Sequence, residues 1–255
     1  LIQKIDEVIR SLIIKYEKTG NINQDDINSK IRNGKINNHE NLIFFGSEGK
    51  KINSLSLNQD EFVNLSLKND IVFVTGPAGT GKTFLSVVLA IKALKEKIIR
   101  KIVITRPVVE AGENLGFLPG DLEDKINPYL RPIYDSLEEI LSAKKIQQLI
   151  KNKTIEIVPL AYMRGRTLKD SYILLDEAQN TITSQIKMFL TRLGKNSKMI
   201  ISGDITQIDL KSKKESGLID AIKRLKNTKG IGIVKFQEKD VLRHSLVKKI
   251  LSKYS

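Results

Sequence analysis

One segment limits this chain more than any other: Gly76-Pro77-Ala78-Gly79-Thr80-Gly81-Lys82-Thr83, set directly after the apolar, β-branched run Ile71–Thr75. It fits G-x-x-x-x-G-K-[S/T] in full, and a helical period of apolar residues follows Lys82, so the loop joins a buried strand to a helix. Glycines at 76, 79 and 81 allow successive backbone N–H groups to turn inward on an anion, and the helix N-terminus behind them adds partial positive charge. In such a loop the whole stretch, Pro77, Ala78 and Thr80 included, wraps the phosphates of a nucleotide. Lys82 meets the β- and γ-phosphates and the Thr83 hydroxyl ligates Mg²⁺. ATP and Mg²⁺ are therefore the expected cofactors.

The surrounding pattern says what sheet carries the loop. Apolar runs at Leu42–Phe45, Ile71–Thr75, Lys101–Thr105, Ile155–Val158, Tyr172–Asp176, Lys198–Ser202 and Ile231–Phe236 read as strands, most of them continuous enough for burial on both faces. Helical periods fall at Gln59–Leu67, Lys82–Lys95, Tyr129–Ile150, Thr183–Leu193, Ser216–Lys226 and Lys239–Ser252. This alternation predicts an α/β P-loop NTPase with a doubly wound, mainly parallel sheet. Ahead of it, Ile2, Ile5, Val8, Ile9, Leu12 and Ile13 place one amphipathic helix over residues 1–20, with a weaker one after Asp25. An Asn-rich stretch then marks a hinge, giving a short helical N-terminal extension over 1–41 and an ATPase domain over 42–255.

A phosphate loop of this kind needs carboxylates on a neighbouring strand. Tyr172-Ile173-Leu174-Leu175-Asp176-Glu177 supplies them: Asp176 emerges at the strand end to hold Mg²⁺ with Thr83, and Glu177 is the candidate general base for water. A third segment, Ser202-Gly203-Asp204-Ile205-Thr206-Gln207, places Asp204 and Gln207 where a γ-phosphate sensor belongs. A GTP-reading Asn-Lys-x-Asp is missing, since Asn152-Lys153-Thr154 runs into Ile155. A small-molecule kinase has no evident use for Glu177 after Asp176.

These motifs and the segments between them resemble the PhoH-like family of bacterial ATPases, itself similar to the core of superfamily 1 helicases. The likeness covers Leu55–Lys253. It is carried by Thr105-Arg106-Pro107, Glu110-Ala111-Gly112-Glu113, Leu115-Gly116-Phe117-Leu118-Pro119-Gly120, Pro128-Tyr129-Leu130-Arg131-Pro132 and Ala161-Tyr162-Met163-Arg164-Gly165-Arg166-Thr167. It continues through Asp176-Glu177-Ala178-Gln179-Asn180, Asp204-Ile205-Thr206-Gln207-Ile208-Asp209-Leu210 and Lys239-Asp240-Val241-Leu242-Arg243-His244. The resemblance implies a ring-forming ATPase, a homo-oligomer and specifically a hexamer, with a role in RNA handling. It also offers Gln59 as an adenine-reading glutamine. Family relatives carry an RNA-binding-like module ahead of the ATPase domain, whereas about fifty residues precede it here, and the chain opens at Leu1 rather than Met.

A ring ATPase places an arginine of one subunit on the γ-phosphate of the next. Arg192 and Arg243 are the candidates, while Arg164 and Arg166 are expected to face a central channel or the partner subunit. The chain carries 43 Lys and Arg against 29 Asp and Glu, a net charge of +14. Lys211–Ser255 holds 13 basic against 4 acidic residues, +9 of that total. So concentrated a field favours a phosphate backbone, RNA or single-stranded nucleic acid, as partner. Only Phe236 and Tyr254 offer aromatic surface there, which argues for affinity without sequence choice. The absence of Cys excludes disulfides, thiolate metal sites and a thiol nucleophile. The two histidines, His39 and His244, lie too far apart in sequence to suggest a metal site. No membrane-length apolar run or leader pattern appears, so a cytoplasmic location is expected. The alternative to a nucleic-acid motor is a nucleotide-gated oligomeric scaffold that never translocates.

Overall fold

The computed structural model describes residues 2–22, 41–107, 122–210, 216–242 and 246, with the backbone alone for 2–8, 18–19 and 122–128. The chain divides into two compact units, Leu1–Glu40 and Asn41–Ser255. The first contains α1 (Ile2–Thr19). This helix stops at Gly20, whose φ of 67° takes the chain left-handed while its N–H still reaches the Tyr16 carbonyl at 2.8 Å. The weaker helix expected after Asp25 lies outside the described residues.

The second unit opens with an antiparallel hairpin, β1 (Asn41–Phe45) and β2 (Lys51–Ser54). Then come α2 (Leu57–Lys68), β3 (Ile71–Thr75), α3 (Lys82–Lys95), β4 (Lys101–Arg106), α4 (Leu122–Glu138) and α5 (Ala143–Lys151). After them follow β5 (Ile155–Pro159), β6 (Ser171–Leu175), α6 (Thr183–Leu190), β7 (Lys198–Gly203), α7 (Gly217–Leu225) and β8 (Ile231–Lys235). Six strands form one sheet in the order β5-β4-β6-β7-β3-β8, and every neighbouring pair in it is parallel.

Side chains alternate across that sheet with the strand period of two. Val72, Val74, Ile102, Ile104, Leu174 and Ile200 join a core with α3, α4 and α5. Phe73, Val103, Ile173, Leu175 and Ile201 join a second core with Ile186 and Phe189 of α6 and Leu218 of α7. Helices thus cover both faces, the doubly wound arrangement, and each fully buried Phe or Leu contributes about 1.5–3 kcal/mol.

Three expected boundaries move. The single helix expected over Tyr129–Ile150 is two, because the chain breaks after Glu138 and the Ile140 carbonyl accepts the Ser47 N–H at 2.8 Å. The helix expected over Thr183–Leu193 ends at Leu190, where the following residues turn to exchange backbone bonds with Leu168. Gly194 is obligatory in that turn, since a Cβ on it would lie 2.3 Å from the Leu168 carbonyl oxygen. The helix expected from Lys239 starts as a single 3-10 turn, Glu238–Asp240, with Val241 and Leu242 outside it. The remainder of that stretch lies outside the described residues, apart from Leu246.

Candidate nucleotide site

β3, β6 and β7 end side by side, with β7 in the middle, so their C-terminal loops converge. The loop after β3 is held from three sides. Gly76 donates to the Gly203 carbonyl at 3.2 Å, Leu242 donates to the Gly79 carbonyl at 2.8 Å, and the Gln59 side-chain amide donates to the Thr80 carbonyl at 3.0 Å. Gly76 has a φ of 149°, and a Cβ there would sit 2.7 Å from the Phe236 carbonyl oxygen. Only glycine fits. Thr80 is fully buried and turns its hydroxyl onto the Pro77 carbonyl at 2.9 Å.

Lys82 folds over this loop and donates to the carbonyls of Gly76 at 2.7 Å and Pro77 at 2.8 Å. Asp176, just past β6, accepts from the Thr83 hydroxyl at 2.9 Å and the Ser202 hydroxyl at 2.8 Å, both on Oδ1. The hydroxyl and carboxylate expected to share Mg²⁺ are thus in contact. Asp204 is buried, and its Oδ1 accepts from the Thr206 N–H at 2.9 Å and hydroxyl at 2.7 Å. Its Oδ2 is buried with no hydrogen-bond partner among the described residues. A buried carboxylate oxygen with nothing to accept calls for a donor from outside the protein. A cleft of about 260 Å³ lies here, walled by Lys82, Thr83, Asp176, Glu177, Asp204 and Gln207 among others. Carboxylate and hydroxyl oxygens together with a lysine in one cleft fit a hard cation beside phosphate.

Glu177 takes the left-handed conformation (φ 53°, ψ 37°), unusual for a residue with a Cβ and frequent at functional sites. Its Oε1 accepts from Arg106 Nη2 at 3.0 Å and its Oε2 from Gln179 Nε2 at 2.5 Å. Arg106 also donates to the Tyr129 carbonyl at 2.7 Å. The Gln179 amide reaches further, donating to the Gln207 carbonyl at 3.1 Å and accepting from the Asp204 N–H at 3.0 Å. Sequence reading assigned no role to Arg106, Gln179 or Ser202. The available signal was position: Arg106 and Ser202 stand at the ends of strands that flank β6.

Gln59 is neither on the helix surface nor free. It is 2% exposed, and its Oε1 accepts from the Leu55 N–H at 2.7 Å while its amide holds the loop. Arg192 donates to the carbonyls of Met188 at 3.0 Å and Arg166 at 2.7 Å. Its own carbonyl bonds Leu168, which precedes β6, whereas the site lies past the other end of that strand. Arg166 pairs with Glu156, and Arg164 is exposed. Burial raises the Glu156 carboxyl, but Lys101 and Arg166 outweigh it and hold the group below the usual carboxylate range. Arg243 and both histidines lie outside the described residues, although Leu242 is bonded to the phosphate loop. Among the described residues, no helix is long and apolar enough to cross a membrane and no cluster of three His, Cys, Asp or Glu marks a further metal site.

A family model described as "PhoH-like protein" matches residues 51–255. The chain belongs to the PhoH-like family. A PhoH-like protein of Bacillus subtilis is 49% identical over 259 residues, covering 99% of this chain and 81% of that protein. Protein PhoH of Escherichia coli is 47% identical over 187 residues, 72% of this chain and 53% of the relative. Among solved structures, the large terminase of the thermophilic bacteriophage D6E shares the fold, with a TM-score of 0.53, 13% identity and coverage of 78% of this chain and 50% of the other. Family, phosphate loop and sheet together make this PhoH-like chain a nucleotide-binding P-loop protein.

Proposed function

We propose that this protein binds ATP with Mg²⁺ in the cleft above β3, β6 and β7 and hydrolyses it, working as a ring on RNA or single-stranded nucleic acid. The observation that carries the reading is the contact of Thr83 with Asp176 in the same cleft that Glu177 lines. Lys82 exchanges its two loop carbonyls for phosphate oxygens, which keeps the lysine satisfied in both states. Mg²⁺, held through Thr83 and Asp176, supplies charge neutralisation on the phosphates. Glu177 orients the attacking water and takes its proton. Asp204 and Gln207, which line the same cleft, would sense the terminal phosphate.

Arg243 and Arg192 are the candidates supplied to a neighbouring subunit, where such a group is worth about 10³–10⁵ in rate. Mixing Arg243→Ala subunits with Lys82→Ala subunits restores turnover at shared interfaces if the ring reading holds. No recovery, with turnover per subunit constant on dilution to monomer, contradicts it. Measuring ATP turnover with and without a panel of RNAs, alongside solution mass, tests the nucleic-acid part. An ATPase indifferent to every RNA and single strand favours the nucleotide-gated scaffold.

A further inference from the structure

Glu177 is the one acidic side chain of the cleft whose two oxygens are each taken by a different side chain on a different segment. Arg106 approaches from the end of β4, anchored through a second nitrogen to the Tyr129 carbonyl in α4. Gln179 approaches from the turn after β6, its amide tied to the Asp204 N–H and the Gln207 carbonyl. Side chains of Arg106 and Glu177 are 19% and 32% exposed, so the pair is only partly screened by solvent. A cavity of about 430 Å³ lies on the Arg106 side of Glu177 and shares just Glu177 and Gln207 with the nucleotide cleft.

We propose that Arg106 is a positioning residue for Glu177, fixing the carboxylate for attack on ATP and linking the base to α4. The inference rests on the hydrolytic reading given above. A glutamate carboxylate swings on three rotatable bonds and accepts about four hydrogen bonds. Two donors on separately anchored segments therefore orient it and leave lone pairs for water. Gln179 ties the same carboxylate to the loop that carries Asp204 and Gln207, so the base and the phosphate-facing loop share one amide. Misplacement of a catalytic group by about 1 Å costs on the order of 100-fold in rate.

The test is a double-mutant cycle read in single-turnover ATP hydrolysis, with nucleotide affinity measured separately by a fluorescent ATP analogue. Arg106→Ala is expected to lower the hydrolysis rate about 10- to 100-fold with affinity changed less than about threefold, and Arg106→Lys to recover part of the loss. In a Glu177→Gln background the same Arg106→Ala change is expected to have no further effect, because it acts only through the carboxylate. Additive losses in that background, or equal losses of affinity and rate, overturn the positioning role and leave Arg106 as scaffold. A wild-type protein that binds ATP but never hydrolyses it overturns the hydrolytic reading, and the proposal with it.

Discussion

Replacing Gln59 with leucine separates two roles that sequence alone leaves open. The change keeps side-chain volume close to the original and removes both polar atoms from a position that is 2% exposed. The Thr80 carbonyl, bonded by Gln59 at 3.0 Å in a buried setting, then has no donor, a cost of about 1–3 kcal/mol. The Leu55 N–H loses its 2.7 Å acceptor in a less buried place, where water replaces part of the bond, for about 0.5–1.5 kcal/mol. The sum is about 1.5–4.5 kcal/mol, or a fall in Tm of about 3–18 °C for a domain of this size. The loop is misshapen for any nucleotide, so ATP and GTP affinities fall together. Thermal unfolding and titration with both nucleotides check this. Unchanged Tm with a selective loss of ATP over GTP would refute the bracing role and establish adenine reading instead.

Lys82→Ala is expected to remove tight ATP binding while far-UV circular dichroism stays native, since the side chain bonds the loop carbonyls of Gly76 and Pro77 at the cleft. Gly203→Ala places a Cβ 2.6 Å from Leu218 Cδ2 and 2.8 Å from Gln179 Oε1, so denaturant unfolding should show a loss of about 1–3 kcal/mol, with hydrolysis falling alongside as Gln179 is displaced. Burial pushes the Tyr172 phenol well above its ordinary value of about 10, against a lowering by its hydrogen bond to Ser66. The unfolded chain therefore releases that proton first, and the stability Tyr172 contributes is complete below pH 10 and lost above it. Tyr172→Phe should flatten the fall in stability above about pH 10, measured by denaturant unfolding at each pH.

Much of this architecture is legible in the residues because the strands announce themselves. Ile71–Thr75 and Ser171–Leu175 are buried on both faces, so nearly every residue in them is apolar and the runs stand out. β2 does not stand out, since Lys51-Ile52-Asn53-Ser54 holds one apolar side chain and gains its partner only when the hairpin closes on β1. The break between α4 and α5 is equally hidden: Leu137, Ile140, Leu141 and Ile146 are all buried, and an apolar rhythm runs across a gap fixed by the distant Ser47 N–H. Within the site, the loop and Asp176-Glu177 are local patterns whose chemistry names itself. Arg106 meets Glu177 across 71 positions of sequence, and nothing local marks that pairing. Gln59 is conspicuous in the chain, but its bonds to the Leu55 N–H and the Thr80 carbonyl have no local signature. Arg192, whose guanidinium bonds the Met188 and Arg166 carbonyls, serves a helix end and a turn within the chain that no local pattern announces.

Glu177 is proposed as the base in a cleft proposed to take Mg²⁺-ATP. Phosphate release by the wild type and Glu177→Gln, at matched nucleotide occupancy, measures that role directly. Expected is steady turnover by the wild type and a variant that binds the nucleotide equally well but hydrolyses it about 10²–10⁴-fold more slowly. A variant within about tenfold of wild type would contradict the assignment and pass the role of base to Asp204.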